Sequence, residues 1–402
     1  MPHDPDKALY IHLPCCVKKC NYCDFDSCAI SADAPEIDAY VEDLVFQIRR
    51  ASKQGELANI ETVYLGGGTP SHVGIARLSS LLYAISHFMR LEPDMECSME
   101  ANPESINDRL INDIWALGVN RLSLGVQSFD DEVLALLGRA HSAQDACKAV
   151  RLAKERFDNV SVDLMCGIPG QSLASFEASV AQAIDLGVSH VSVYPLTIEP
   201  GTAFYHDVVT GALEEPDDDC EAQHMERAEK LLRAAGYERY EVASYAKPGF
   251  ECRHNIAYWT GVPYLGLGRS AATMTQNSER RMRKKDGLIT DDLNASQMRA
   301  EDLMLSMRMA QGVSLEAVKQ AQGLLPRVHE TFNELCSLGL CVCEDGRYKP
   351  TEKGWLCGNE LYGRIFDLAP SKEASVYSFK LVVMREINEM NLRNGNGSSN
   401  MG

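Results

Sequence analysis

Near its start the chain reads Tyr10-Ile11-His12-Leu13-Pro14-Cys15-Cys16-Val17-Lys18-Lys19-Cys20-Asn21-Tyr22-Cys23-Asp24-Phe25. The β-rich run from Ala8 to Leu13 predicts a strand that Pro14 ends, so the residues after it form a loop at a strand end. This loop carries Cys16, Cys20 and Cys23 in the spacing C-x3-C-x2-C. Three soft sulfur ligands on one loop suit an iron–sulfur cluster or zinc.

The cysteine loop lacks the partners of a structural zinc site. Such a site usually adds a second cysteine pair or a histidine pair, and neither follows in the sequence. The other cysteines near the loop are Cys15 and Cys28. Lys18 and Lys19 lie between the cysteines, and we expect them to favour the thiolate by lowering the thiol pKa. Three ligands with one open position indicate a reactive centre; buried free thiols are the alternative.

The loop resembles that of a known family. C-x3-C-x2-C with an aromatic residue, Tyr22, between its last two cysteines is similar to the radical S-adenosylmethionine (SAM) family. The resemblance implies that Cys16, Cys20 and Cys23 hold a [4Fe–4S] cluster that binds SAM and reduces it to a 5′-deoxyadenosyl radical. The longer string Y-x-H-x-P-x-C resembles the oxygen-independent coproporphyrinogen III oxidase group and the related heme chaperones, the HemW group.

Composition limits the classes of protein that remain. The 402 residues, 45% hydrophobic and 24% charged, suffice for one large globular domain and a smaller one. A formal net charge of −18 argues against broad nucleic-acid binding and against polybasic membrane attachment. No apolar run has the length of a membrane span, and the polar N-terminus resembles neither a signal nor a transit peptide. We therefore expect a cytoplasmic protein with reduced cysteines.

Strand and helix patterns alternate between residues 8 and 196. Alternation of this kind predicts βα units and a parallel sheet. Six such units are too few for a full eight-unit barrel, so the sequence predicts an α/β fold, a partial (β/α)6 TIM-like barrel. The resemblance implies the same fold. Every candidate motif follows a predicted strand, and barrel active sites gather at the carboxyl ends of strands.

The rest of the chain is predicted to extend the barrel and then form a small second domain. Residues 201–216 are interpreted as a loop and residues 247–261 as an irregular, aromatic-rich connection. The second domain has the pattern of a winged helix, without an evident basic recognition face for DNA. The predicted segments are a barrel with the cluster and SAM site (1–200), a barrel extension (201–298), a winged-helix-like α+β domain (299–385) and a disordered tail (386–402).

A glycine-rich turn follows the second predicted barrel strand. Gly66-Gly67-Gly68-Thr69-Pro70 lets a ligand approach the backbone without obstruction by side chains. The resemblance implies that Gly67, Gly68 and Thr69 contact the methionyl amine of SAM. It also implies that Tyr10 and Tyr22 border the SAM site, although Tyr10 could simply pack on its strand.

Four further polar side chains suit the remaining groups of SAM. Glu100 offers an anion for the ammonium group, and Arg139 a planar cation for the carboxylate. Gln127 and Asp163 can form hydrogen bonds with the ribose hydroxyls. All four match positions of the resembled family, which implies these roles. Without that match, Arg139 would be interpreted as a surface helix residue and Asp163 as a cap or core acid.

Two features favour the heme-chaperone branch. The oxidase group carries a further cysteine two residues after the third ligand, where this chain has Phe25. The segment from Arg253 to Trp259 contains H-N-x-x-Y-W, which resembles the heme-associated signature of the chaperone branch. His254 could bind heme iron, with Cys252 as a competing axial ligand. A structural histidine is the alternative.

The sequence thus predicts a heme chaperone with a [4Fe–4S] cluster, SAM and heme as cofactors, which delivers heme or a porphyrin to heme-accepting proteins. One alternative is an oxygen-independent coproporphyrinogen III oxidase, which decarboxylates its substrate by a radical route. Another is a radical SAM enzyme with a different substrate. The sequence leaves open productive cleavage of SAM, a second SAM and a homodimer. Cys15 departs from the family pattern, in which an aromatic residue precedes the first ligand.

Overall fold

The structure is a computed structural model. This structure describes residues 4–89, 92, 94–215 and 217–369. The chain divides into one compact unit, Asp4–Thr273, and a second that begins at Met274. The predicted tail, 386–402, lies outside the described residues, and the domain boundaries drawn from the sequence stay predictions.

The first unit is built on a mostly parallel sheet, which confirms the predicted α/β barrel fold. Its strands run in the order β11-β1-β4-β5-β6-β7-β8-β10-β9, parallel from β11 to β8 and antiparallel at β10 and β9. These strands are β1 (Ala8–Leu13), β4 (Thr62–Gly67), β5 (Glu96–Ala101), β6 (Arg121–Gln127), β7 (Asn159–Cys166), β8 (His190–Pro195), β9 (Glu238–Arg239), β10 (Ser244–Ala246) and β11 (Tyr264–Leu267); β12 (Ala272–Gln276) follows β11. The short strands β2 (Cys15–Cys16) and β3 (Cys28–Ala29) pair with each other in a separate two-stranded sheet.

Helices alternate with these strands and cover the sheet with their apolar faces. In the first helix, buried Ile37, Val41, Leu44 and Ile48 recur at helical spacing, and Gly55, at φ 79°, supplies the left-handed residue that ends it. The helices are α1 (Pro35–Gln54), α2 (Ile75–Phe88), α3 (Asp108–Ala116), α4 (Asp131–Leu136), α5 (Ala143–Lys154), α6 (Leu173–Asp185), α7 (Ala203–Val209), α8 (Asp218–Ala234) and α9 (Arg253–Trp259).

Two segments differ from their sequence-based interpretation. Residues 201–216 contain α7, which Thr202 starts by accepting a hydrogen bond from the Tyr205 amide (3.1 Å). Residues 247–261 contain α9, whose start has no side-chain cap of its own. The carboxylate of Glu96, on β5, instead accepts hydrogen bonds from the amides of Arg253 (2.8 Å) and His254 (3.1 Å). A cap from so distant a residue leaves no local signal.

The second unit contains a hairpin followed by helices and a small sheet. The helix–strand–helix–helix–hairpin order after the first hairpin is that of the predicted winged helix, and its strands run in the order β15-β17-β16. Within the described residues, no helix is both long enough and apolar enough to cross a membrane. The elements are β13 (Arg280–Lys285), β14 (Leu288–Asn294), α10 (Ala295–Ser306), β15 (Val313–Ser314), α11 (Leu315–Ala321), α12 (Val328–Ser337), β16 (Cys341–Glu344), β17 (Arg347–Pro350), α13 (Glu352–Leu356) and α14 (Gly358–Phe366).

Candidate functional site

The cysteine loop and the glycine turn meet at the carboxyl ends of β1 and β4. These strands are parallel neighbours, and their register pairs Leu13 with Gly67. Past that pair, the Gly68 amide donates to the Leu13 carbonyl (2.9 Å) and the Thr69 amide to the Cys15 carbonyl (2.8 Å). Backbone hydrogen bonds thus join the two segments that the sequence assigned to the cluster and to SAM.

This junction requires glycine at two positions. Gly67 has φ 114°, a conformation that side chains disfavour, and a Cβ there would overlap the ring of His12. A Cβ on Gly68 would lie 2.7 Å from the backbone carbon of Pro14. The glycines therefore allow close backbone packing, whatever ligand the turn contacts.

Replacing Gly67 by alanine is expected to lower the free energy of unfolding by about 3 kcal/mol, because backbone strain and overlap with His12 add together. Thermal or denaturant unfolding measures this loss. Gly118→Ala is the matched control, since Gly118 has φ 100° but open space around its Cβ. A Gly67→Ala loss no greater than that of the control would contradict the tight junction.

Each predicted cluster ligand faces a hydrogen-bond donor or hydroxyl. Thr69 Oγ1 donates to Cys16 Sγ (3.4 Å), and Arg139 Nη1 donates to Cys20 Sγ (3.3 Å). Cys23 Sγ lies 3.9 Å from Ser27 Oγ. Hydrogen bonds of this kind stabilise charge on cluster sulfurs.

Burial, and not the charge of the nearby lysines, has the larger effect on the pKa of two of the predicted cluster thiols. Burial raises the pKa of Cys16 and of Cys23, and the neighbouring thiol of Cys20 adds to the increase. Lys19 lowers the pKa of Cys23, but burial outweighs it. The expectation of lowered thiol pKa is therefore wrong for these two cysteines, because desolvation disfavours the thiolate more than a solvated lysine favours it. Metal binding would have to displace the protons.

The chemistry of the donor set fits an iron–sulfur cluster. In the part of the chain that the structure describes, no three His, Cys, Asp or Glu side chains are grouped as around one ion. In a [4Fe–4S] cluster each cysteine binds a different iron, so the ligands stand farther apart than around zinc. Cys16, Cys20 and Cys23 are three thiols of the kind that such a cluster takes, and each has its own neighbouring donor or hydroxyl.

Arg139 ties the cysteine loop to two strand ends. Its Nη1 also donates to Tyr22 Oη (3.4 Å), and its Nη2 donates to Asn102 Oδ1 (2.8 Å) and the Gly125 carbonyl (2.6 Å). Asn102 in turn donates to Thr69 Oγ1 (2.9 Å). The Nε of Arg139 is buried without a hydrogen-bond partner among the described residues, which leaves a donor for a carboxylate. Arg139 is therefore not the surface residue of the alternative interpretation.

Two asparagines that the sequence analysis did not assign belong to this network. Asn102 bridges Arg139 and Thr69, as described above. Asn21 anchors the cysteine loop on α4: its amide donates to the Leu137 carbonyl (3.0 Å) and its side chain to the Leu136 carbonyl (2.9 Å). The sequence signal that could have identified them was their position inside the motifs: Asn21 directly follows Cys20, and Asn102 is two residues after Glu100.

Glu100 is held by two donors at the glycine turn. Its Oε1 accepts a hydrogen bond from the Tyr64 hydroxyl (2.9 Å), and its Oε2 accepts one from the Gly67 amide (3.0 Å). Burial raises the pKa of Glu100 to about 7, although both hydrogen bonds oppose that shift. The carboxyl group therefore changes charge near neutral pH.

SAM affinity is expected to rise between pH 6 and pH 8, because an ionised Glu100 attracts an ammonium group and a protonated one does not. Anaerobic equilibrium dialysis at several pH values measures this dependence, and Glu100→Gln should flatten it.

The stability of the free protein should change oppositely. The pKa of Glu100 in the folded state lies above its ordinary value of 4.5, so the folded state binds the proton more tightly. This contribution to the free energy of unfolding therefore falls as the pH rises from about 4.5 to 7.

Two of the remaining predicted SAM contacts, Tyr10 and Asp163, lie near enough to Glu100 to interact with its charge. Burial and the charge of Glu100 raise the pKa of Tyr10, whose hydroxyl lies 3.0 Å from His12 Nδ1. Gln127 has φ 69° at the end of β6, where the pairing with β7 shifts register. Asp163 lies within β7 and accepts hydrogen bonds from Ser123 Oγ at 3.3 Å. Its place inside the strand is also consistent with a core acid.

The H-N-x-x-Y-W segment lies at the opposite ends of the strands. His254 Nδ1 lies 2.9 Å from the hydroxyl of Thr62, the first residue of β4, whereas the cysteine loop follows the last residue of β1. A six-residue strand separates its ends by roughly 17 Å. His254 is 1% exposed, and its Nε2 lies 3.2 Å from the Tyr258 hydroxyl. Both ring nitrogens therefore have partners.

The two proposed axial ligands of heme are thus enclosed. Burial lowers the pKa of His254 to about 3, so the ring is neutral at physiological pH. Cys252 has no exposed surface, its Sγ donates to Glu96 Oε1 (3.6 Å), and burial raises its pKa to about 12. The geometry favours the structural role that the sequence left open for His254; heme contact at either residue would require α9 to move.

The chain is similar to known proteins along most of its length. Residues 10–183 match the Radical SAM superfamily, and residues 293–357 match the HemN C-terminal domain. The heme chaperone HemW of Escherichia coli is 41% identical over 268 residues, 66% of this chain and 70% of that protein. The heme chaperone HemW of Bacillus subtilis is 32% identical over 381 residues, 89% of this chain and 98% of that protein.

A solved structure shares the fold along most of the chain. The coproporphyrinogen III oxidase HemN from Escherichia coli, a radical SAM enzyme, gives a TM-score of 0.74 at 21% identity, covering 91% of this chain and 90% of that one. At this identity the likeness shows the fold alone. It does not extend the oxidase activity to this chain.

Proposed function

Because this chain belongs to the HemW family of radical SAM proteins, we propose that it binds heme and delivers it to acceptor proteins in the cytoplasm. The observation that carries the proposal is the similarity to the Bacillus subtilis heme chaperone along 98% of that protein. Phe25 supports it, since this side chain stands where the resemblance places a further cysteine in the oxidases. Membership in the radical SAM superfamily implies a [4Fe–4S] cluster and SAM.

We assign the cofactor contacts by the chemistry of the side chains described above. When bound, the cluster and SAM together supply one-electron chemistry. The carboxylate of Glu100 would accept hydrogen bonds from the ammonium group, and the free donor of Arg139 would bind the carboxylate. The proposed cluster ligands are Cys16, Cys20 and Cys23, and the proposed SAM contacts are Tyr10, Tyr22, Gly67, Gly68, Thr69, Glu100, Gln127, Arg139 and Asp163.

We place heme on the outer surface of the cysteine loop. Val17 is 46% exposed and Phe25 62% exposed, so the loop presents apolar side chains to solvent. Lys18 and Lys19 are exposed beside them, and Lys19 Nζ donates to the Phe25 carbonyl (3.3 Å). Heme combines an apolar plane with two anionic propionates, and this surface offers an aromatic ring with adjacent cations.

Phe25→Asp is expected to weaken heme binding at least fivefold, because it removes an apolar contact and repels the propionates. A Soret titration measures the Kd. Phe46→Asp is the matched control, since Phe46, on α1, is also 62% exposed. Equal effects of the two substitutions, or loss of heme binding in His254→Ala alone, would place the heme elsewhere.

The function itself is tested on one anaerobic sample of cluster-reconstituted protein. Heme is titrated into one part, and turnover of coproporphyrinogen III is assayed in another. We expect a saturable Soret band and no protoporphyrinogen IX. Turnover without stable heme binding would identify an oxidase. Cleavage of SAM without either result would indicate a radical SAM enzyme with another substrate.

A further inference from the structure

A short series of contacts connects α9 with the glycine turn. The ring of His254 stacks on that of Tyr64, with centroids 5.0 Å apart and an interplanar angle of 28°. The Tyr64 hydroxyl donates to Glu100 Oε1 (2.9 Å). His254 therefore touches the side chain that orients the predicted acceptor of the SAM ammonium group.

His254 is itself fixed from several directions. Hydroxyl groups of Thr62 and Tyr258 lie within hydrogen-bond distance of Nδ1 and Nε2, at 2.9 and 3.2 Å. The Tyr258 ring meets the imidazole edge-on, at 5.0 Å and 90°. The His254 amide donates to Glu96 (3.1 Å), which holds the start of α9 against β5. A ring so held is a rigid support for the aromatic ring stacked on it.

We propose that His254 is a positioning residue for SAM: it holds Tyr64 in the orientation that keeps the Glu100 carboxylate directed at the ammonium group. The inference rests on the proposed function, because it presumes that Glu100 binds SAM. This role for His254 means that the H-N-x-x-Y-W segment has a function other than heme ligation. The segment supports the SAM site from the opposite ends of the barrel strands.

A second buried histidine provides an internal comparison. His190 has no exposed surface, and its ring nitrogens lie 2.7 Å from Ser161 Oγ and 2.9 Å from Tyr240 Oη. The pattern of one hydroxyl and one tyrosine repeats that of His254. Tyr240, however, accepts a hydrogen bond from the Cys252 amide (3.2 Å), and no hydrogen bond to Glu100 is described for it. His190→Ala thus removes a comparable buried ring whose described side-chain contacts are Ser161 and Tyr240, not Tyr64 or Glu100.

The experiment is a double-mutant cycle on cluster-loaded protein, with the Kd for SAM measured anaerobically. His254→Ala and Tyr64→Phe should each weaken SAM binding about tenfold, the lower end of the value for one hydrogen bond to a charged group. The double variant should bind no more weakly than the worse single variant, because both substitutions break the same connection. His190→Ala should keep the Kd within about twofold, and His254→Ala should keep the wild-type Kd for heme.

His254→Phe keeps a ring against Tyr64 and provides a second variant should the alanine protein fold poorly. We expect it to recover most of the SAM affinity. Additive losses in the double variant, an equal loss in His190→Ala, or no recovery in His254→Phe would overturn the inference. Wild-type SAM affinity in Glu100→Gln would instead overturn the role of Glu100 in the proposed function, so the two failures are distinguishable.

Discussion

Cys16→Ser is expected to lower the iron and sulfide content of reconstituted protein at least tenfold, whereas Cys15→Ser should leave both near the wild-type level. The two cysteines are adjacent but differ in environment. Cys15 is 4% exposed, and burial raises its pKa to about 11. Cys16 Sγ instead accepts a hydrogen bond from Thr69 and lies on the side of the glycine turn. Iron and sulfide analysis with electron paramagnetic resonance of the reduced protein measures the outcome.

The pair of variants also tests the register of the ligand motif. Because β2 pairs Cys15 with Cys28 and Cys16 with Ala29, a shift of one residue would exchange the two environments. A protein that loses its cluster on Cys15→Ser but keeps it on Cys16→Ser would show that the ligand spacing starts one residue earlier. Loss in both variants would point to a general collapse of the loop.

Arg139→Ala is expected to weaken SAM binding by about tenfold to a hundredfold, because a carboxylate loses a charged donor in a partly buried site. Arg139→Lys should not restore the affinity. One ammonium group cannot reach Cys20, Tyr22, Asn102 and the Gly125 carbonyl at once, as the guanidinium does. Equilibrium dialysis with labelled SAM measures the Kd, and iron content confirms that the cluster is retained.

A matched substitution separates ligand binding from loop support. Asn102→Ala removes one partner of Arg139 and one of Thr69 but leaves the cation in place. We expect a loss of affinity of only about threefold to fivefold. If Arg139→Ala left SAM binding unchanged, Arg139 would be a structural anchor of the cysteine loop, and another cation would have to bind the carboxylate.

The barrel could be predicted because its signals are local. Buried strands ending at glycines and helices with one apolar face appear directly in the sequence, and parallel strands then bring their carboxyl ends together. The sequence alone was therefore enough to predict that the segments holding Cys16, Gly67 and Glu100 meet at one end of the barrel. The start of α9 could not be predicted, since its cap is Glu96, which lies 157 residues before Arg253 in the chain.

The chemistry of the site was less predictable than its position. Charges between the cysteines suggested lowered thiol pKa values, but the pKa of Cys23 depends mainly on burial, which only the folded structure supplies. The H-N-x-x-Y-W pattern likewise suggested an imidazole ready for iron. In the structure, Thr62 and Tyr258 lie at the ring nitrogens of His254, and neither contact follows from sequence spacing alone.

Heme delivery is tested most directly by stopped-flow transfer. Heme-loaded, cluster-reconstituted protein is mixed with an excess of the apo form of a b-type heme protein, and the Soret spectrum of the acceptor is followed. Delivery by contact predicts a transfer rate that rises with acceptor concentration and exceeds the rate of spontaneous heme dissociation. A rate that equals spontaneous dissociation and does not depend on the acceptor would contradict a chaperone and leave only passive heme binding.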